Sequence, residues 1–217
     1  MKTKLITITP NAEKTIVEIA RVSSSRKDKT KDLSGLLNYL IKHNHFSPFE
    51  HGYATFEIET SKAIGIQLIR HRSFTFQEFS QRYQDVNKLS ENGMFEDIEI
   101  RKQCDNNRQS SSEIFNPALG SSLNWNAEEK INLALSILEE TYNDLIKAGV
   151  AREQARMILP LATKTKIYMT GSIRSWIHFL NIRDDEHAQK EIRLIAKEIK
   201  SSLVKELPII SESLNWK

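Results

Sequence analysis

The sequence predicts a mixed α/β domain. Three runs read as strands, six or seven others carry the 3.6-residue apolar spacing of helices, and no segment repeats another. The 217 residues suit one large domain spanning 1–217. A chain of this size buries roughly 70% of its unfolded surface, enough for a core without disulfides or metal.

Leu5 to Thr9 reads as the first strand, with Thr9-Pro10 as cap and first position of the following helix. Ile16, Val17, Ile19 and Ala20 mark that helix. Leu33, Leu36, Leu37, Leu40 and Ile41 place a second helix over about 31–43. From Tyr53 to Thr60 the residues alternate, a strand with Phe56 and Ile58 on one face. Ile66, Leu68 and Ile69 favour a helix from Lys62 into Arg70-His71-Arg72. Residues 84–124 are polar and without period, so a long loop or insertion is expected there. Asn126 and Glu129 have capping-box spacing, and the stripe Ile131, Ala134, Leu135, Leu138, Tyr142, Leu145 ends at Gly149. A short helix over 151–158 stops before Pro160, and Thr163 to Thr170 is a third strand candidate. Ile173, Trp176, Ile177 and Leu180 mark a helix. The last one, with Ala188, Ile192, Ile195, Ile199 and Leu203 inward, takes Asp184 or Asp185 as its cap and closes at Pro208.

Composition removes several chemistries. Cys104 is the only cysteine, which excludes disulfides and CxxC redox pairs within the chain. Seven glycines lie at least 13 residues apart, so neither a GxGxxG dinucleotide turn nor a Walker A loop exists here. Thirty-one basic against 28 acidic residues leave a net charge of +3, too little to argue for nucleic acid. No run approaches the roughly 20 apolar residues of a membrane span, and the N-terminus lacks a signal-peptide core, so a cytoplasmic location is expected.

Three clusters remain. Residues 70–83 (RHRSFTFQEFSQRY) interleave three arginines with Phe74, Phe76, Phe79 and Tyr83. Guanidinium groups recognise phosphate bidentately and aromatic faces suit planar heterocycles, although arginines paired with carboxylates beside core phenylalanines would read the same. His43, His45 and His51 with Glu50 surround a Ser-Pro turn. They offer imidazoles to a metal or simply a polar loop lining a site, and no HExxH is present. Arg152 and Arg156 share a helix face, Arg174 and His178 another, and Arg183 follows. Cations near helix C-termini are also favourable by themselves.

In these clusters the chain resembles the flavin-dependent thymidylate synthase family. Arg70-His71-Arg72, seven residues and Ser80 match its RHRx7S signature. HxSPFEH over 45–51, REQARMILP over 152–160 and FLNIRDDEHAQxEI over 179–192 follow the family in order. The resemblance covers roughly 15–205, with 84–124 least alike. It implies a mixed α/β fold peculiar to the family and a homotetramer with active sites shared between subunits. The implied reaction methylates dUMP to dTMP, with methylenetetrahydrofolate as carbon donor and NADPH-reduced FAD as hydride donor, without a metal. It further implies that His45, Ser47, Glu50, Arg70, His71, Arg72, Glu78, Ser172, Arg174 and His178 meet FAD. For dUMP it implies Gln67, Arg70, Glu78, Ser80, Gln81, Arg82, Arg156 and Arg183, with Arg183 catalytic because it favours ionisation at the uracil N3. A fixed guanidinium there stabilises developing negative charge on the pyrimidine. The chain departs from the family at Thr75, Gln77, Ser172 and His178. Two other classes stay open on the residues alone: a nucleotide- or RNA-binding module using 70–83 without catalysis, and a metallohydrolase built on His43, His45 and His51.

Overall fold

A computed structural model describes residues 1–23, 32–89, 92–120 and 125–216. The chain is mixed α/β. It separates into two units, a larger one of residues 2–58, 67–77 and 167–217, and a smaller one of Met1, 59–66 and 78–166.

The larger unit begins with β1 (Lys2–Ile8) and α1 (Ala12–Ala20). Thr9 and Pro10 do not start the helix as expected. Thr9 pairs with Tyr53 instead, donating its N–H to Tyr53 O at 2.9 Å and accepting the Tyr53 N–H on its Oγ1 at 2.9 Å. Asn11, with φ 52°, makes the left-handed step into α1. α2 (Leu33–Lys42) starts where Asp32 Oδ1 accepts from Gly35 N at 2.8 Å. A Cβ at residue 35 would lie 2.2 Å from Asp32 Oδ2, so glycine makes room for that cap. The expected start at 31 falls outside the described residues. A 3₁₀ turn over Ser47–His51 leads into β2 (Tyr53–Ser61), whose Ala54, Phe56, Ile58 and Thr60 are buried in strict alternation.

α3 (Lys62–Leu68) ends short of the expected Arg70-His71-Arg72. His71 N bonds to Leu68 O and Phe74 N to His71 O, both at 3.1 Å, so the basic triplet rides a turn. That turn delivers β3 (Phe74–Glu78), a strand absent from the sequence reading. The four-stranded sheet runs β1-β2-β6-β3, with β6 spanning Lys164–Ser172. α6 (Ile173–Arg183), α7 (Lys190–Glu206) and α8 (Pro208–Ser213) complete the larger unit, α7 packing on β1 and α6. Trp176, Phe179, Phe56 and Phe74 form an edge-to-face aromatic core there. Neither Asp184 nor Asp185 caps α7; Gln189 stands at its start. Asp184 ends α6 and binds Lys200 at 2.6 Å, while Asp185 accepts from His187 N at 2.8 Å.

In the smaller unit the expected loop over 84–124 holds a hairpin, β4 (Arg101–Gln103) against β5 (Ser111–Ile114), antiparallel. α4 (Ala127–Lys147) opens on the full capping box: Asn126 accepts from Glu129 N, and Glu129 accepts from Asn126 N, each at 2.9 Å. α5 (Arg152–Ala155) continues as a 3₁₀ turn over Arg156–Ile158. Val86, Met94, Tyr142 and Ala155 are the buried centre, with Phe79, Phe95, Leu145 and Leu159 around them. No helix among the described residues is long and apolar enough to cross a membrane.

Candidate active site

In the larger unit, a cavity of about 500 Å³ is lined by Phe46, Glu50, Ser73, Arg174, Ser175, Ile177, His178 and Asn181. Its walls come from the 3₁₀ turn before β2, the turn before β3 and the first three turns of α6. Arg174 and His178, one turn apart on α6, are exposed. Arg174 Nη1 donates to Glu50 Oε1 at 3.0 Å. Both partners are about half exposed, so the pair contributes at most about 1 kcal/mol and yields readily to an incoming anion.

Ser172, expected to meet a ligand, is 3% exposed. It caps α6, accepting from Ser175 N at 3.2 Å, and its hydroxyl donates to Glu50 Oε2 at 2.5 Å. Its part is to hold Glu50. His45 and Ser47 are exposed on the adjoining turn, His45 with its ring 6.0 Å from that of His43 and 5.9 Å from Tyr39. Among the described residues no group of three His, Cys, Asp or Glu side chains could hold a metal ion.

A second group in this unit centres on Arg183, the last residue of α6. Its Nε donates to His71 Nε2 at 2.9 Å. Burial, then the charges of Arg183 and His178, hold the His71 pKa down at about 4, so the imidazole is neutral. Burial and the neighbouring Arg70 also push Arg183 down. Arg70 and Arg72 are exposed on the turn, with no hydrogen bond or ion pair among the described residues. Gln67 Nε2 donates to Gln189 Oε1 at 2.6 Å.

The smaller unit carries the rest of the expected residues. Glu78 Oε1 accepts from both Lys62 Nζ at 2.8 Å and Thr165 Oγ1 at 2.7 Å. Ser80 opens a turn, its carbonyl accepting from Tyr83 N and Gln84 N, and its hydroxyl has no partner among the described residues. Gln81 is 8% exposed, and its Nε2 finds no acceptor among the described residues. A buried orphan donor of this kind suits a ligand oxygen. Arg82 pairs with Glu153 at 3.3 Å, Arg152 donates to Tyr83 O at 3.1 Å, and Arg156 has no such partner among the described residues.

The sequence reading missed Phe46, Ser73, Ser175 and Asn181 in the cavity wall. Phe46 and Asn181 stand inside the quoted motifs at 45–51 and 179–192. Ser175 lies one turn beyond Ser172, a spacing that signals its cap.

Comparison with known proteins agrees with this chemistry. The family model described as thymidylate synthase complementing protein matches residues 4–209. A probable flavin-dependent thymidylate synthase of Paramecium bursaria Chlorella virus 1 is 39% identical over 224 residues, covering 100% of both chains. A flavin-dependent thymidylate synthase of Synechocystis is 38% identical, over 93% of this chain and 88% of the relative. Among solved structures, the UMP/dUMP methylase PolB from Streptomyces cacaoi, bound with 5-Br dUMP, superposes with a TM-score of 0.77 at 26% identity. That match covers 99% of this chain and 94% of PolB.

Proposed function

We propose, because this chain belongs to the flavin-dependent thymidylate synthase family, that it methylates dUMP to dTMP. The observation that carries the reading is the full-length match at 39% identity. The carbon comes from methylenetetrahydrofolate and the reducing equivalents from NADPH. FAD, when bound, supplies the hydride. The donor set of the 500 Å³ cavity fits such a group. Arg174 can exchange Glu50 for a pyrophosphate oxygen, Phe46 offers an aromatic face, and Ser73, His178 and Asn181 offer polar contacts. His45, Ser47 and Arg72 extend this flavin side, and Ser172 acts there through Glu50.

For dUMP we assign Gln67, Arg70, Glu78, Ser80, Gln81, Arg82, Arg156 and Arg183, each by its match to the family's motifs. Arg70 and Arg156, without carboxylate partners among the described residues, are suited to the nucleotide phosphate. Arg183 is the catalytic group, its charge stabilising the uracil ring as it becomes anionic at N3. Ser80 has no base beside it and binds rather than attacks. The chain acts as one catalytic domain, a reading supported by a family match that runs through both units. It works in the cytoplasm as a homotetramer with shared active sites.

The purified protein, supplied with FAD, NADPH, methylenetetrahydrofolate and dUMP, is expected to form dTMP, read by chromatography of the nucleotides. Absence of dTMP under these conditions overturns the proposal.

A further inference from the structure

Among the described residues Arg183 uses one of its five N–H groups. Its Nε reaches His71 Nε2 at 2.9 Å, and neither Nη has a hydrogen bond or ion pair among the described residues. His71 is itself immobilised. Its backbone closes the turn between α3 and β3, bonded to Leu68 and Phe74 at 3.1 Å each. Its ring lies edge-on to Phe179 with centroids 5.0 Å apart, and at 6.3 Å and 89° to Phe74. Phe179 precedes Arg183 by one turn of α6, so a single helix face sets both the ring against which His71 rests and the arginine it receives. An imidazole that accepts from a guanidinium must be neutral and carry its proton on Nδ1. The depressed pKa, about 4, keeps it in that form at neutral pH. A guanidinium is planar, so fixing Nε fixes the direction of both Nη groups.

We propose that His71 is a positioning residue that acts through Arg183, its Nε2 lone pair setting the plane of the guanidinium whose Nη groups bind the substrate. This rests on the thymidylate synthase reading and assigns His71 a role distinct from a flavin contact.

The test is a double-mutant cycle on the FAD-loaded full-length enzyme with His71→Leu, Arg183→Lys and the pair, together with His71→Gln. Lysine keeps the charge of Arg183 but has no Nε–H fork. His71→Leu is expected to lower kcat by roughly 10²-fold, with little change in KM for dUMP and unchanged flavin absorbance. His71→Gln, whose carboxamide oxygen can accept in place of Nε2, is expected to recover most of the loss. In the Arg183→Lys background His71→Leu is expected to cost nothing more. A readout independent of turnover is the ¹⁵N spectrum of His71: the Nδ1–H tautomer in the wild type, lost in Arg183→Lys. Losses that multiply in the double variant, a Gln variant as slow as the Leu variant, departure of the flavin from His71→Leu, or an unchanged tautomer would each overturn the inference. Should His71→Leu fail to fold, the Gln variant and the tautomer decide. A wild-type enzyme that makes no dTMP removes the parent reading as well, whereas dTMP formation with a multiplicative cycle removes this inference alone.

Discussion

Arg174 and Arg183 stand at opposite ends of one helix and meet opposite electrostatics. Arg174 lies in the first turn of α6, where the helix dipole repels a cation, and Glu50 offsets that. Arg183 lies in the last turn, where the dipole favours it, and needs only a neutral acceptor. His71 supplies one, with a consequence for pH. Its folded pKa, about 4, is below the 6.5 of a free imidazole, so between these values the unfolded chain binds the extra proton. The stability from keeping His71 neutral is present above pH 6.5 and is lost as pH falls from 6.5 toward 4. The urea midpoint of His71→Gln is therefore expected to drop less than that of the wild type between about pH 7.5 and pH 5. Equal drops in the two proteins contradict this. Residue types at the site were legible in the sequence, since charge and motif order are local. The hold of Ser172 on Glu50 was not, because the two residues lie 122 positions apart.

Elements were legible where one face is buried or the cap is local. The capping box of α4 was readable from Asn126 and Glu129 alone, and Asn126→Ala is expected to cost about 1 kcal/mol, measured by thermal or urea unfolding. The alternating strand β2 was readable for the same reason: every second residue meets the core. The hairpin β4–β5 left no such trace, because all four residues of β5 are exposed and no face selects for apolar side chains. β3 was hidden differently. Its Phe74 and Phe76 read as aromatics interleaved among ligand-binding groups, and only packing against Trp176 and Phe179 reveals Phe74 as core. That packing leaves no space at Gly171, where a Cβ would lie 2.4 Å from Phe74 Cδ1. Gly171→Ala is expected to destabilise by about 1–3 kcal/mol through overpacking, checked by the same unfolding curves.

At the scale of the whole molecule, the core of the larger unit is assembled from both ends of the chain. Ile16, Val17 and Phe56 come from the first third; Trp176, Phe179, Ile195 and Leu203 come from the last. A fragment of residues 1–166 retains the first set without the second. Its larger-unit segments are expected to stay unfolded, with rapid amide hydrogen exchange across β1, α1 and the first half of β2, in contrast to the full chain. The mixed α/β class was legible from the mixture of periods, but the division into two units was not. Hydrophobic periodicity reports which residues turn inward and carries no label for the core they join.

The path of the chain between those units bears on how such a protein can change over generations. Beyond Met1, the backbone passes from one unit to the other at 58/59, 66/67, 77/78 and 166/167. Any crossover point between residues 59 and 166 therefore divides both units at once. A recombination event cannot exchange the smaller unit for a foreign one at a single junction, nor can a truncated gene deliver the larger unit whole. Variation that survives must arise by substitution, or by insertion within a segment such as the exposed β4–β5 hairpin.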